Sequence, residues 1–252
     1  MQIPHDRHRP LGKKDPQHDA RTLQLAKYVG AHLSAAPAAQ AWSKKVKTWP
    51  MYMNDTIGDC AIAGPAHMIE CWAANAQSLI QIADADVLKA YEDVGGYRPG
   101  KPATDGGCVL MDVLKYWRTT GIGGHQIGAF TSVSPHSSAY VQDAIFLFGG
   151  LNTGFALPVT AQNQAVWDVV AGASRNPDAK PGSWGGHCVN IVDYDARSLT
   201  CVTWGALKKM TWAFFKSYCD EAYAIISQDF LAAGKAPNGF DLATLQNDLA
   251  AL

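Results

Sequence analysis

The chain has 252 residues, 48% of them apolar, with 21 basic against 22 acidic side chains and a formal charge of -1. That length and composition supply ample material for a core and exclude wholesale disorder. The balanced charge gives no electrostatic footprint for nucleic acid or an anionic membrane, and no apolar run reaches bilayer length.

Residues 1–50 open on Met1-Gln-Ile-Pro-His-Asp-Arg-His-Arg-Pro10, charged but with no apolar stretch after it, so this is not a secretory signal. A cytoplasmic chain, or one exported without such a mark, is expected. The remainder of this stretch reads as an extended arm wrapping the domain, with one short helix or strand near 22–29. His5, His8 and His18 fall in it as solvated polar residues.

From Cys60 the pattern turns helical, with Ile62, Ala66, Ile69 and Ala73 at helical spacing after the turn Gly58-Asp59. Pro65 is expected to bend this helix. Further helices are predicted over Asp84–Asp93, ending at Gly95-Gly96, over Val109–Thr119, closed by Gly121, and over Tyr140–Phe148 before Gly149-Gly150. Asn152–Pro158 reads as a strand and 171–186 as a Gly/Pro/Ser/Asn-rich loop. Strands follow at His187–Tyr194, Leu199–Trp204 and Ala222–Ser227, expected as antiparallel neighbours. A short helix near 240–251 closes a C-terminal arm, 228–252. Helices first and strands later predict an α+β domain over 51–227, mainly helical over 51–130 and mainly β over 131–227, with a cleft between the lobes.

Six cysteines (60, 71, 108, 188, 201 and 219) are spread singly, with no CxxC pair and no zinc-like Cys/His spacing. No metal or other cofactor is expected, and the glycine clusters match no phosphate loop. Without a signal peptide the thiols read as reduced, most of them as small core residues. Cys60 differs, because a thiol at a helix N-terminus is placed where the dipole favours the thiolate. Asn54, six positions earlier, has a carboxamide able to donate to an oxyanion. His187 opens a strand after a glycine-rich loop, which presents an imidazole at a lobe edge.

These residues resemble the papain-like cysteine peptidases. Asn54-x5-Cys60 is similar to the Gln-x5-Cys of that family, with asparagine replacing the oxyanion-hole glutamine. Gly186-His187-Cys-Val-Asn-Ile-Val-Asp-Tyr194 resembles its His-Ala-Val-x-x-Val-Gly-Tyr strand. Val202-Thr203-Trp204-Gly205 resembles its Asn-Ser-Trp-Gly, with Trp212 as a further aromatic. Asp105-Gly-Gly107, followed by Leu114 and Gly121-Ile122, is similar to the pattern between them. Two departures stand out: Ala61 replaces the tryptophan after the nucleophile, and Val202 falls where asparagine orients the histidine.

The resemblance implies a helical lobe, an antiparallel β lobe and an active site between them. It also implies a cysteine hydrolase that opens a peptide or amide bond through a thioester on Cys60. His187 would then be general base, with Asn54 and the Cys60 N–H at the oxyanion. Val202 cannot orient the imidazole. Asp193 shares its strand face but lies about 20 Å along an extended strand, so Thr203 is the expected orienter. Trp184, Gly185 and Gly186, just before His187, are candidate substrate-binding residues. Peptide or protein substrates are the expected partners, not nucleic acid or membrane. An acyl transferase on the same scaffold, or a catalytically silent binding or structural module, are the alternatives.

Overall fold

The computed structural model describes residues 9–27 and 36–230. The helix expected near 240–251, residues 28–35 of the arm, and His5 and His8 lie outside the described residues. In chain order the elements are β1 (Leu23–Gln24), β2 (Gln40–Ala41), α1 (Cys60–Asn75), α2 (Asp84–Gly95), α3 (Leu110–Thr119) and β3 (Ile127–Ser132). There follow α4 (Ser138–Phe148), β4 (Leu151–Leu157), β5 (Gly185–Tyr194), β6 (Ser198–Thr203), β7 (Ala206–Thr211), α5 (Trp212–Tyr218) and β8 (Cys219–Ser227). No helix among the described residues is long and apolar enough to cross a membrane.

The central helix α1 runs unbroken through Pro65 and is buried along nearly all of its length. Its small residues explain the depth: Gly64 sits against β5, where an added β-carbon would lie 3.1 Å from Cys188 Sγ. The side-chain amide of Asn190 also donates to the Gly64 carbonyl. At the far end Trp72 stacks on Trp117 of α3, ring centroids 5.6 Å apart, and its indole N–H donates to the Phe148 carbonyl closing α4. Helix α4 starts at a serine cap, Ser137 Oγ accepting from Tyr140 N, and ends at left-handed Gly149.

The sheet runs in the order β1-β3-β8-β4-β5-β6-β7, with β2 paired to β5. Strand pairs are antiparallel except the short β1–β3 contact. The strand order departs from expectation. Strands β5 and β6 are antiparallel neighbours, but β8 pairs with β3 and β4, so β4 separates it from β5. The reason lies in the β4 sequence, buried at every position but Ala156, which makes it a central strand needing partners on both edges.

Three strands went unanticipated, the short β2 and strands β3 and β7, as did α5. The β6–β7 hairpin closes through two residues, Trp204 and Gly205, both left-handed at φ 46° and 67°. Such a turn matches the twist of the flanking strands, and a tryptophan there is strained unless its ring is held. Thr211 then caps α5, its hydroxyl accepting from Phe214 N at 3.1 Å.

Candidate active site

Cys60 is the first residue of α1, and the packing of α1 on β5 brings it to the start of that strand. Its Sγ accepts the amide of Cys188, the residue after His187, at 3.4 Å. The structure thus brings Cys60 beside the backbone of the residue after His187, while no hydrogen bond joins Sγ to the His187 ring. His187 is fully buried, opposite Phe155 of β4. One face of its ring stacks on the Trp204 indole, centroids 4.4 Å apart and 14° from parallel. Trp167 and Trp184 also meet this indole, centroids 6.3 and 5.7 Å away, so the ring in the left-handed turn is packed on several sides. The Arg9 guanidinium lies over the same indole, 4.8 Å from its centroid.

His187 Nε2 and Thr203 Oγ1 are 2.8 Å apart. Thr203, at the end of β6, points to the histidine, so the alternation of a strand turns Val202 to the opposite side, where it is 1% exposed. Asp193 is engaged elsewhere, accepting from Ser43 N and Oγ at 2.9 and 2.6 Å. His187 Nδ1 is buried and makes no hydrogen bond. With Nε2–H donating to Thr203, the free Nδ1 lone pair is the basic one.

Asn54 is buried, and its Nδ2 donates to Asp59 Oδ1 at 2.9 Å. An amide nitrogen carries two hydrogens, so one remains. Asp59, next to Cys60, is expected from the sequence only as part of a turn, yet it is buried beside the thiol. Burial pushes its carboxyl well above the usual range despite the Asn54 bond, and its Oδ2 has no partner. Asp105 was also missed as an organiser. Its carboxylate accepts from Gly58 N at 3.0 and 3.2 Å and from the Tyr91 hydroxyl, while Gly107 N donates to that hydroxyl at 2.9 Å. This ties the loop 105–107 to the approach to Cys60. His67 is packed inside, with Nε2–H donating to the Pro50 carbonyl at 2.6 Å.

The cleft is filled by the chain itself. Gly12 N donates to Cys60 Sγ at 3.3 Å, Lys13 N to the Gly186 carbonyl at 3.0 Å, and Lys14 N to the Cys108 carbonyl at 2.9 Å. Cys108 N returns a bond to the Gly12 carbonyl at 2.7 Å. The approach is so close that a β-carbon on Gly12 would lie 1.6 Å from the Gly58 carbonyl oxygen. Gly185 and Gly186 face this segment: β-carbons there would meet Leu11 Cδ1 at 2.9 Å and the Lys13 carbonyl oxygen at 2.0 Å. Trp184 is half-buried beside Trp204, centroids 5.7 Å apart.

Burial decides the protonation states. It pushes the Cys60 thiol up to about 11, outweighing the two amide donors and reinforced by Asp59. It pulls His187 down to about 3, with Arg9 adding to the effect. The helix N-terminus, which favours thiolate, does not prevail while the arm excludes water. In this conformation the pair is a thiol and a neutral imidazole.

No family model and no curated protein matches the chain. Solved structures do. Xylellain, a cysteine protease from Xylella fastidiosa, superposes with a TM-score of 0.65 at 12% identity, covering 87% of this chain and 98% of its own. The chain has the papain-like fold. A procathepsin B from Trypanosoma congolense gives a TM-score of 0.55 at 10% identity over 87% of each chain. A digestive procathepsin L 3 of Tenebrio molitor larval midgut gives 0.56 at 12% identity, over 87% of this chain and 76% of that one. At such identities the papain-like likeness concerns the fold, and the chemistry must be argued from this chain's own residues.

Proposed function

We propose that this chain is a cysteine hydrolase of peptide or other amide bonds, with Cys60 as nucleophile and His187 as base. The observation that carries it is the placement of a thiol at the start of α1, bonded to the residue after His187. That histidine is itself held by Thr203 at Nε2 and unpartnered at Nδ1. His187 Nδ1 takes the Sγ proton as sulfur attacks the carbonyl carbon. The developing oxyanion is met by the Cys60 N–H, free at the first helical turn, and by the remaining Asn54 amide hydrogen. His187 then passes its proton to the leaving amine, leaving a thioester on Cys60. Water, deprotonated by His187, releases the acid and restores the thiol. Trp184, Gly185 and Gly186 line the path of the acyl chain.

Residues 9–14 must leave before any of this begins, because Gly12 occupies the face of Sγ that a carbonyl would approach. The Gly12 amide on Cys60 Sγ supports reading the segment as an inhibitory one. The burial of Cys60 favours one rival, a silent module whose arm never moves. An acyl transferase would use the same thioester with an amine in place of water.

The test is mass spectrometry of the full chain carrying Gly12→Ala, whose methyl forces the segment off Gly58. Incubation with a peptide mixture should leave a transient acyl group on Cys60, and none in Cys60→Ala or His187→Ala. Absence of acyl-enzyme and of alkylation at Cys60 in the Gly12→Ala protein would establish the silent module instead.

A further inference from the structure

The segment over the cleft carries a lysine into the protein. Lys13 Nζ lies 2.9 Å from Asp220 Oδ2 and 3.4 Å from Glu221 Oε1, with 1% of its side chain exposed. It also donates to the Lys14 carbonyl at 3.1 Å. The recess is shaped by missing side chains: a β-carbon on Gly154 would lie 2.2 Å from Lys13 Cε. One of its acids is fixed from behind, the Tyr223 hydroxyl donating to Glu221 Oε2 at 2.9 Å. Glu221 Oε1 and Asp220 Oδ1 accept no hydrogen bond.

Three features set this apart from an ordinary anchor. Two carboxyl groups meet one ammonium, with burial pushing the Glu221 carboxyl up and Lys13 drawing it back. Both acids belong to β8 and remain when the arm departs. Beside Lys13 the arm is held by main-chain bonds from Gly12 N, Lys13 N and Lys14 N and to the Gly12 carbonyl, which any extended peptide can make, with Leu11 and Arg9 packed further out. In strand-like capture of a peptide, such bonds give affinity and a side-chain recess gives selectivity. A buried ion pair is a weak stabiliser compared with apolar packing, so this acidic recess is poorly explained as a fastening alone.

We propose that the recess filled by Lys13 is a substrate subsite selective for a basic side chain, lysine or arginine. The basic residue sits one position from the residue that meets Cys60, as Lys13 stands beside Gly12. The inference rests on the hydrolase reading, and its test separates the two.

The experiment uses the full chain carrying Lys13→Ala, which empties the recess. Peptidyl acyloxymethyl ketones of one sequence, with lysine, arginine, norleucine or glutamate scanned through the positions flanking the warhead, compete for Cys60. Alkylation rates are read by mass spectrometry, with iodoacetamide as a sequence-blind control. At one position the lysine and arginine probes should react at least about tenfold faster than norleucine, and glutamate slowest. Adding Glu221→Gln should flatten that ranking while the norleucine rate holds. Should that variant not fold, Asp220→Asn, at the more exposed carboxylate, makes the same comparison. If Cys60 reacts with all four probes at one rate, the subsite is wrong and the hydrolase reading stands. If Cys60 resists every probe and iodoacetamide alike with Gly12→Ala added to lift the segment, both fall.

Discussion

Thr203 holds His187 through a single hydroxyl 2.8 Å from Nε2, and nothing else in the described structure bonds that ring. Removing the hydroxyl in Thr203→Val leaves a buried imidazole N–H unpaired and the ring held only by its Trp204 stack. Loss of about 2 kcal/mol in the transition state, or roughly thirtyfold in kcat, is the expected outcome in a protein opened by Gly12→Ala. Thr203→Ser should recover most of it. Val202→Asn, by contrast, places a carboxamide on the far face of β6 among apolar side chains. It should give no gain in rate and lower stability by about 1–3 kcal/mol, visible as a reduced Tm. Faster turnover in Val202→Asn would mean that β6 adopts another register. At the nucleophile, a thiol raised to about 11 by burial has few thiolates at neutral pH. Alkylation of Cys60 in the intact chain should therefore climb roughly tenfold per pH unit from 7 to 10. In Gly12→Ala the same curve should level off at lower pH, because water returns to the sulfur. Identical curves would mean that the arm does not set the thiol's pKa.

At the scale of elements, the helices α1 to α4 and strands β4, β5, β6 and β8 were legible because each combines an apolar period with a clear stop, such as Gly149-Gly150 after α4. The unanticipated elements lack that contrast. Strand β7 carries Leu207-Lys208-Lys209, whose burial is decided by the neighbouring β6 and not by its own pattern, and α5 spans seven residues. Its cap, Thr211, was readable in principle. Strand order was not, since β8 reaches β4 through contacts that no local period records. The site divides the same way. Cys60, His187, Asn54 and Thr203 stood out by residue type and spacing, whereas Asp59 and Asp105 act through partners distant in sequence or hidden by burial. Least legible was the arm across the cleft. Leu11-Gly12-Lys13 has no pattern of its own, and only the glycines opposite it, 58, 107, 154 and 186, show that space was left for a backbone. Lys13→Ala removes the arm's ion pairs with Asp220 and Glu221. Iodoacetamide should then reach Cys60 at least about tenfold faster than in the wild type, for roughly 1.4 kcal/mol less holding the arm closed. An unchanged rate would show that the main-chain bonds alone keep the cleft shut.

For the molecule as a whole, the buried histidines tie stability to pH. Burial pulls His67 down to about 4, against the bond to Pro50 that would raise it, and pulls His187 down to about 3. In the unfolded chain both titrate near 6.5. Between those values the unfolded state binds more protons than the folded one, so stability rises with pH. The contribution is complete above about pH 6.5 and is lost as the pH falls toward the folded values, at up to about 1.4 kcal/mol per pH unit for each ring. The two rings respond by different routes. His67 lies between Trp49 and Tyr52 within the helical lobe, centroids 5.9 and 4.9 Å away, and can be hydrated only by unfolding. His187 is sealed by the arm, and Arg9 lies over the indole that covers it, so lifting the arm admits water and relieves the charge without global unfolding. Acid should therefore open the cleft before it melts the protein. Thermal unfolding and Cys60 alkylation, each followed from pH 7 to 4, separate the routes. Tm should fall throughout, and His67→Gln, which keeps a donor for the Pro50 carbonyl but cannot charge, should flatten that fall. Alkylation, corrected for thiolate fraction by a model thiol, should rise in the folded protein over the same range. If the corrected rate stays flat until Tm itself is reached, the arm and the core come apart as one unit and His187 exerts no separate control over the cleft.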